Sequence, residues 1–184
     1  MHPIAGDKVV LIRVTGQILK EAAENGVSLW PKYEGRWPVF SGLKFSFDPE
    51  KPPGQRILMD TFRNDRDEPI EMDKRYTIST KAFMLSGKDG YTAFLDESVE
   101  RLPPLNDEAP GIQDVFISCA TNFAKSDEEI EKMPAKARDL LERRLKLFNT
   151  SRENRCPETG FIRFAPKLEG RIVNVGEPID HGDD

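Results

Sequence analysis

The stretch Gly87-Lys88-Asp89-Gly90-Tyr91, with Phe94 and Asp96 behind it, is the segment around which the fold is predicted. Two glycines bracket a short polar bend, and glycine adopts backbone angles that are closed to other residues. Residues 75–83 before the bend have the composition of a strand. The pattern therefore predicts a strand that ends in a tight turn and places Tyr91 at the rim of a sheet, where binding groups are common. A hairpin whose aromatic side chains belong to the core is the alternative.

The composition predicts a globular chain with one good-sized domain or one domain and an appendage. The chain has 184 residues, of which 38% are hydrophobic and 32% charged, and its formal net charge is −5. Basic residues are scattered among acidic ones, and the run Arg143-Arg144 with Lys146 is typical of a solvated helix face, so nucleic acid is not an expected partner. No apolar run approaches the length of a membrane span.

Histidine and cysteine are scarce, which restricts the possible chemistry. The histidines are His2 and His181, one near each end, and the cysteines are Cys119 and Cys156. A catalytic metal centre or a Ser-His-Asp site draws on several such side chains held on a scaffold. We therefore expect no metal ligands and no nucleophilic triad here, and we leave open whether the two cysteines pair.

The first hundred residues predict an α/β (α+β) fold, a mixed sheet with a packed helix. Residues 8–14 are a β-branched run typical of a strand. Thr15 stands where a helix cap belongs, and Asn25-Gly26 indicates the end of that helix. Alternation over residues 43–47 predicts a strand with one buried face, and residues 56–62 and 76–79 predict two more. Both tryptophans, Trp30 and Trp37, lie in the loop 27–38.

After Asp96 the character of the sequence changes. A proline-rich connector precedes helical patterns over residues 112–125 and 127–148, with Pro134 expected to break the second or to open its second half. Residues 160–164 and 169–175 predict short closing strands. We thus expect a single domain over 1–184, with a core of about 8–101 and 160–176 and a helical insertion of about 102–159 that has no counterpart we can place.

Six segments occur in one order: Val14-Thr-Gly16, Glu24-Asn-Gly-Val-Ser28, Glu34-Gly-Arg-Trp-Pro-Val-Phe-Ser-Gly42, Leu43-Lys-Phe-Ser-Phe-Asp48, residues 76–83 and Gly87-Lys-Asp-Gly-Tyr91. Together they resemble the C-terminal, substrate-binding domain of the 5′-nucleotidase family, which includes ecto-5′-nucleotidase and the periplasmic UDP-sugar hydrolase. The resemblance covers about residues 9–96 and returns at Pro166-Lys-Leu-Glu-Gly-Arg-Ile172.

The resemblance implies a division of labour. In the family, an N-terminal calcineurin-like metallophosphatase domain holds two divalent metal ions and hydrolyses the phosphate ester, while the C-terminal domain binds the nucleoside. We expect this chain to be the second part of such a protein, without the N-terminal domain, and to hydrolyse nothing by itself. Family members commonly work outside the cytoplasm, but the compartment of this chain stays open.

The resemblance also implies three substrate-binding residues. Trp37 and Tyr91 fall where the family has the two aromatic rings that clamp the base, and Asp96 falls where an acidic residue accepts hydrogen bonds from the ribose. Stacking suits this task because every base has a π-face, and a carboxylate offers acceptors to two hydroxyls. This chain differs from the family in having Lys88 where glycine is usual, and Trp and Tyr where two phenylalanines stand.

Several functions remain open at this point. The expected ligand is a nucleoside 5′-monophosphate or a related nucleotide. As an alternative, the parent protein could be a UDP-sugar hydrolase or a cyclic-nucleotide phosphodiesterase of the same family. From another class, the chain could be a non-catalytic protein-interaction module, in which the helices 102–148 form the partner surface and the rings of Trp37 and Tyr91 are buried.

Overall fold

The structure, a computed structural model, describes residues 7–32, 34–104, 108–147, 150–163 and 170–176. The chain divides into two compact units. The first holds the described residues of Met1–Gly111 and Gly170–Asp184, and the second holds those of Ile112–Glu169. The second unit thus begins ten positions later than the insertion predicted at 102, and residues 160–163, predicted for the core, lie in it.

Strands in the described residues form two small sheets of the first unit. The strands are β1 (Val9–Thr15), β2 (Leu43–Phe47), β3 (Arg63–Asn64), β4 (Arg75–Lys81), β5 (Glu100–Leu102) and β6 (Ile172–Asn174). In one sheet, β1 lies between β4 and β5 and is antiparallel to both. In the other, β2 lies between antiparallel β3 and parallel β6. The predicted α/β class is confirmed, although two sheets take the place of one.

The strand predicted over residues 56–62 is wrong. This segment pairs with β2 only through an isolated bridge between Ile57 and Phe47, and it then curls into a 3₁₀ turn, Met59–Thr61. Thr61 explains the change, since its Oγ1 accepts the Ser46 N–H at 2.8 Å and donates to the Leu58 carbonyl at 2.7 Å. A side chain therefore takes the place that a backbone carbonyl would have in a continued ladder.

Helix α1 (Gly16–Val27) packs its apolar face on the core of the first unit. Thr15 caps it as predicted, its side chain accepting from the Ile18 N–H. Glu24 is 4% exposed, and its carboxylate accepts the backbone N–H groups of Arg56 and Ile57 at 2.9 Å each. Each oxygen of the buried carboxyl group thus accepts a hydrogen bond, which offsets the cost of burying a polar group. It fastens the helix to the segment after β2.

The predicted end of α1 at Asn25-Gly26 is wrong. The helix continues to Val27, and Ser28 is its C-cap. Gly26 is needed for a different reason: a Cβ built there would lie 2.7 Å from Pro38 Cγ, so only glycine allows this approach. Asn25 is then left on the helix surface with its amide free for a distant partner.

The second unit has helices α2 (Ile112–Phe123), α3 (Asp127–Glu131) and α4 (Ala135–Leu147). Its own core consists of Phe123, Ile130, Leu141, Leu145 and Ile162. A Ser126–Glu129 capping box opens α3, and Pro134 directly precedes α4. Phe148, predicted for the apolar stripe of α4, lies outside the described residues. Cys119 and Cys156 are both free thiols.

Candidate functional site

The glycine turn, residues 87–90, follows β4 through a 3₁₀ segment, Ala82–Ser86. Three residues of the turn have positive φ: Gly87 at 73°, Asp89 at 53° and Gly90 at 80°. Glycine adopts such angles at little cost, whereas an aspartate does so only when its surroundings hold it there. The sequence prediction of a tight turn here is correct, and its strained residue is Asp89.

Tyr91 leaves the turn pointing into the protein. Its side chain is only 4% exposed, its ring stacks on Phe94 with centroids 5.8 Å apart and planes 8° apart, and its hydroxyl donates to the Arg36 carbonyl at 2.8 Å. Burial raises the pKa of Tyr91 to about 12, the Asp89 charge adds to this, and the Arg36 charge opposes it. The phenol is therefore neutral and buried rather than displayed at a rim.

Trp37 is half-buried and lies against the core of the first unit. Its ring centroid is 5.1 Å from that of Trp30 and 6.1 Å from that of Phe47. The backbone at Trp37 is held by a hydrogen bond from its N–H to the Glu34 carbonyl at 2.9 Å. The two indoles thus pack on one another, and Trp37 keeps part of its surface accessible.

Asp96 is exposed and closes the 3₁₀ segment Thr92–Leu95. Its Oδ1 accepts from the Ser98 N–H at 2.8 Å and the Ser98 hydroxyl at 2.6 Å. These two hydrogen bonds hold the pKa of the Asp96 carboxyl below its usual range. Asp96 is therefore ionised at neutral pH, as an acceptor of ribose hydroxyls would have to be.

The structure links the side chain of Tyr91 to the backbone of the residue directly before Trp37. The bond from the Tyr91 hydroxyl to the Arg36 carbonyl joins the glycine turn to the residue directly before Trp37. Asp96 is connected to Tyr91 only through the 3₁₀ segment between them. In this arrangement the Tyr91 ring presents no open face to a base.

Asn25 and Arg36, which the sequence did not indicate as neighbours of the candidate site, contact the glycine turn and Tyr91. The Asn25 side-chain amide donates to the Asp89 carbonyl at 3.0 Å. Arg36 Nη1 lies 3.5 Å from both the Asn25 side-chain oxygen and the Ser28 hydroxyl. No local pattern could have revealed these contacts, because Asn25 and Asp89 are 64 positions apart.

An exposed ring also lies beside the glycine turn. Phe83 is 40% exposed, and the Lys88 ammonium lies 4.8 Å from its ring centroid. The family that the sequence resembles usually has glycine at the position of Lys88. The lysine of this chain therefore adds a cation–π contact at the surface.

Two absences concern only the part of the chain that the structure describes. There, no group of three or more His, Cys, Asp or Glu side chains could hold a metal ion. None of the helices described is long and apolar enough to cross a membrane.

Comparison with known proteins defines the class to which this fold and site belong. The model of the 5′-nucleotidase C-terminal domain matches residues 1–96, which is more than half of the 184-residue chain. The chain therefore belongs to the 5′-nucleotidase C-terminal domain family, as the sequence predicted. The matched range contains Trp37, Tyr91 and Asp96.

Two curated relatives illustrate the match. The 5′-nucleotidase of Bos taurus is 30% identical over 95 residues, which are 49% of this chain and 17% of that protein. The trifunctional nucleotide phosphoesterase of Bacillus subtilis is 28% identical over 95 residues, which are 50% of this chain and 6% of that protein. The chain thus spans well under a quarter of the length of either relative.

A solved structure shares the fold over most of the chain. The 5′-nucleotidase precursor of Thermus thermophilus superposes with a TM-score of 0.60 at 22% identity, over 94% of this chain and 26% of that one. Coverage of 94% requires that most of residues 112–169 be aligned. The helical segment, for which the sequence offered no counterpart, therefore has one in that structure.

Proposed function

We propose that this chain binds the nucleoside part of a nucleotide, as the substrate-binding domain of a 5′-nucleotidase. A separate two-metal domain would hydrolyse the 5′-phosphate, and this chain would supply position rather than chemistry. One observation carries the proposal: within the family-matched residues 1–96, the Tyr91 hydroxyl joins the glycine turn to the loop of Trp37. Two aromatic residues of the right type are thereby fixed on neighbouring loops.

The base would stack on Trp37 and Tyr91. Trp37 is half-buried and has ring surface available, whereas Tyr91 at 4% exposure has to turn out of its pocket. Stacking of one base on an aromatic ring contributes about 1–3 kcal/mol. The hydroxyl bond that Tyr91 gives up contributes about 1 kcal/mol net. The stack on Phe94 is lost as well and contributes about 0.5–1.5 kcal/mol beyond burial, so we expect the chain alone to bind a nucleoside weakly.

Asp96 would accept hydrogen bonds from the ribose hydroxyls. Both of its hydrogen bonds within the described residues go to Oδ1 and come from Ser98. Oδ2 is left to receive a donor from a ligand, and the ionised state that Ser98 favours strengthens such a bond. Ser98 would thus orient Asp96 toward the sugar.

A calorimetric titration of the chain with adenosine and with AMP tests this proposal. We expect weak, saturable binding of both ligands, with a loss of about tenfold or more in Trp37→Ala and Tyr91→Ala and a smaller loss in Asp96→Ala. Phe116→Ala is the matched control, since it removes a 69%-exposed ring from the second unit. Equal binding by all four variants would refute the proposed residues.

A hydrolysis assay tests the expected division of labour. Incubated with AMP and with Mn²⁺ or Zn²⁺, the chain should release no phosphate. The assay should be repeated after chelation, and Asp96→Ala should behave in the same way as the unaltered chain. Phosphate release that survives repurification would show that the chain is catalytic by itself.

The same experiments separate the alternatives. The name of the Bacillus subtilis relative, a trifunctional nucleotide phosphoesterase, does not specify which phosphate esters it cleaves, so a UDP-sugar or a cyclic nucleotide stays an alternative substrate of the parent protein. Competition by UDP-glucose or cyclic AMP against adenosine would reveal such a preference. The burial of Tyr91, together with Phe116 at 69% and Ile117 at 61% exposure, favours a non-catalytic interaction module instead. Complete absence of nucleoside binding would favour the module.

A further inference from the structure

We propose that Asn25 is the positioning residue that keeps Tyr91 in its buried state, so that nucleoside binding has to break the contacts of Asn25 first. The inference rests on the proposed function, because it concerns the ring that would stack on the base. It makes Asn25 a regulator of the affinity of that site rather than a contact of the ligand.

Asn25 touches both sides of the strained peptide in the glycine turn. Its amide nitrogen donates to the Asp89 carbonyl at 3.0 Å. Its side-chain oxygen lies so close to the next residue that a Cβ built on Gly90 would be 2.5 Å from it. Asp89 keeps φ at 53° and Gly90 at 80° beside this side chain. The positive φ of Asp89 is thus supported by a residue of α1 in addition to the turn's own hydrogen bond from the Tyr91 N–H to the Lys88 carbonyl at 3.2 Å.

Arg36 connects the same asparagine to Tyr91. Arg36 Nη1 lies 3.5 Å from the Asn25 side-chain oxygen, and the Arg36 carbonyl accepts the Tyr91 hydroxyl at 2.8 Å. Asn25 thus contacts both Asp89, two positions before Tyr91, and Arg36, whose carbonyl accepts the Tyr91 hydroxyl.

These contacts affect the affinity of the chain for a nucleoside. A ligand that requires a minor conformation binds with its intrinsic affinity multiplied by the fraction of the protein in that conformation. If Tyr91 must leave its pocket to stack on a base, each contact that holds it inside lowers the apparent affinity. Removing a contact that lies outside the ligand site should therefore tighten binding.

The decisive variant is Asn25→Ala in the full chain, with adenosine as the probe. We expect the adenosine dissociation constant to fall by about fivefold, because one net hydrogen bond of the closed state is lost. Tyr91→Phe removes a different contact that holds the ring inside: it keeps the aromatic ring and loses the hydroxyl bond to the Arg36 carbonyl. We expect it to tighten binding too, whereas Tyr91→Ala should weaken it.

A second measurement is independent of any ligand. In Asn25→Ala, the ultraviolet titration of Tyr91, assigned by subtraction of the Tyr91→Phe curve, should move from a pKa of about 12 toward the ordinary value of 10. The charges that face this phenol are those of Asp89 and Arg36, and the variant alters neither. Asn64→Ala is the matched control, since Asn64 holds another turn with an aspartate at positive φ.

The outcomes separate this inference from the proposed function. Weaker or unchanged adenosine binding in Asn25→Ala, with the Tyr91 pKa still near 12, overturns the inference. If circular dichroism shows that Asn25→Ala does not fold, adenosine binding by Tyr91→Phe decides instead. Tighter binding supports the inference, and weaker or unchanged binding overturns it. Unchanged adenosine binding in Tyr91→Ala overturns the proposed stacking role alone, and the Tyr91 titration in Asn25→Ala then decides whether Asn25 holds the ring.

Discussion

Two turns of the described chain pass through an aspartate with positive φ, Asp67 at 66° and Asp89 at 53°, and they are held in different ways. In the first, the Asn64 turn (residues 64–68), the Asn64 side-chain oxygen accepts the N–H groups of Arg66 and Glu68 at 2.9 Å each. In the second, the glycine turn, the amide of Asn25 comes from 64 positions away. The Asn64 side chain bonds only within its own turn, whereas the glycine turn adds the distant Asn25 amide to its backbone hydrogen bond from the Tyr91 N–H to the Lys88 carbonyl at 3.2 Å.

The difference shows where the chain can change its conformation. A turn that supplies its own hydrogen bonds keeps its shape whatever happens around it. A turn whose strain is supported from a distance changes when that support is removed, and such strain is concentrated at functional sites. The predictions below test whether the glycine turn depends on its surroundings while the Asn64 turn does not.

The largest effect is expected from Gly90→Ala. A non-glycine residue at φ 80° costs about 1–2 kcal/mol, and the new Cβ would lie 2.5 Å from the Asn25 side-chain oxygen. We expect the free energy of unfolding, measured in urea, to fall by about 3 kcal/mol. Gly54→Ala is the control, because Gly54 has φ 88° but no atom within 4 Å of its Cβ position. Equal losses in the two variants would mean that the Asn25 contact adds nothing.

The next effect concerns alkaline pH. The unfolded chain releases the Tyr91 proton near pH 10, whereas the folded chain keeps it to about pH 12, so the folded state loses stability as pH rises between these values. The loss attributable to Tyr91 reaches about 2–3 kcal/mol at the upper end. Tyr91→Phe lacks this ionisation but also lacks a hydrogen bond of about 1 kcal/mol.

The order of stability of the two proteins should therefore reverse. At pH 9 the unaltered chain should be the more stable in urea, and at pH 12 Tyr91→Phe should be. Other ionisable groups are the same in both and cancel. A constant difference between the two pH values would show that the phenol ionises as easily in the folded chain as in the unfolded one. At the Asn64 turn, the Lys44 ammonium lowers the pKa of Asp67, so any titration effect there falls at acid pH.

A smaller effect is expected from Asn64→Ala. The variant removes two hydrogen bonds to backbone N–H groups and one from the Asn64 amide to the Glu68 carboxylate. These groups are exposed and can bond to water, so we expect a loss of about 1 kcal/mol in urea unfolding. The adenosine affinity and the Tyr91 titration should stay as in the unaltered chain. A shift in either would show that the two turns are coupled.

The difference between the turns also explains which parts of the structure could be predicted from the sequence. Alternation and β-branched runs predicted β1, β2 and β4, because a sheet face imposes period two on the residues themselves. The glycine turn was predicted because glycine and aspartate are local turn chemistry. The strand at 56–62 was mispredicted because a single hydroxyl, that of Thr61, takes over a ladder hydrogen bond.

The residues of the candidate site remain a prediction, and the exposure of those residues could not be read from the sequence. Trp37, Tyr91 and Asp96 came from the resemblance, and the family model covers all three. No sequence pattern indicated that Tyr91 would face inward, because its pocket is made by Phe94 from nearby and by Arg36 from 55 positions away. The sequence around Asn25 predicts the end of a helix. It does not indicate the contact with Asp89, because that residue lies 64 positions away.

The smallest stability effects are expected from replacing each aspartate by glycine. Asp67→Gly and Asp89→Gly both relieve the cost of a positive φ and both make the unfolded chain more flexible, so the two contributions nearly cancel. Asp67→Gly also loses an exposed ion pair with Lys44, which contributes little. We expect each variant to unfold in urea within about 0.5 kcal/mol of the unaltered chain.

The two variants should nevertheless differ at Tyr91. The Asp89 charge contributes to the raised pKa of Tyr91 after burial, so Asp89→Gly should lower that pKa while Asp67→Gly leaves it near 12. Since burial is the larger cause, the pKa in Asp89→Gly should stay above the ordinary value of 10. A fall all the way to 10 would mean that Asp89 itself is needed to keep the ring inside. The Asn25 amide would then act on the conformation of that aspartate and not on the peptide alone.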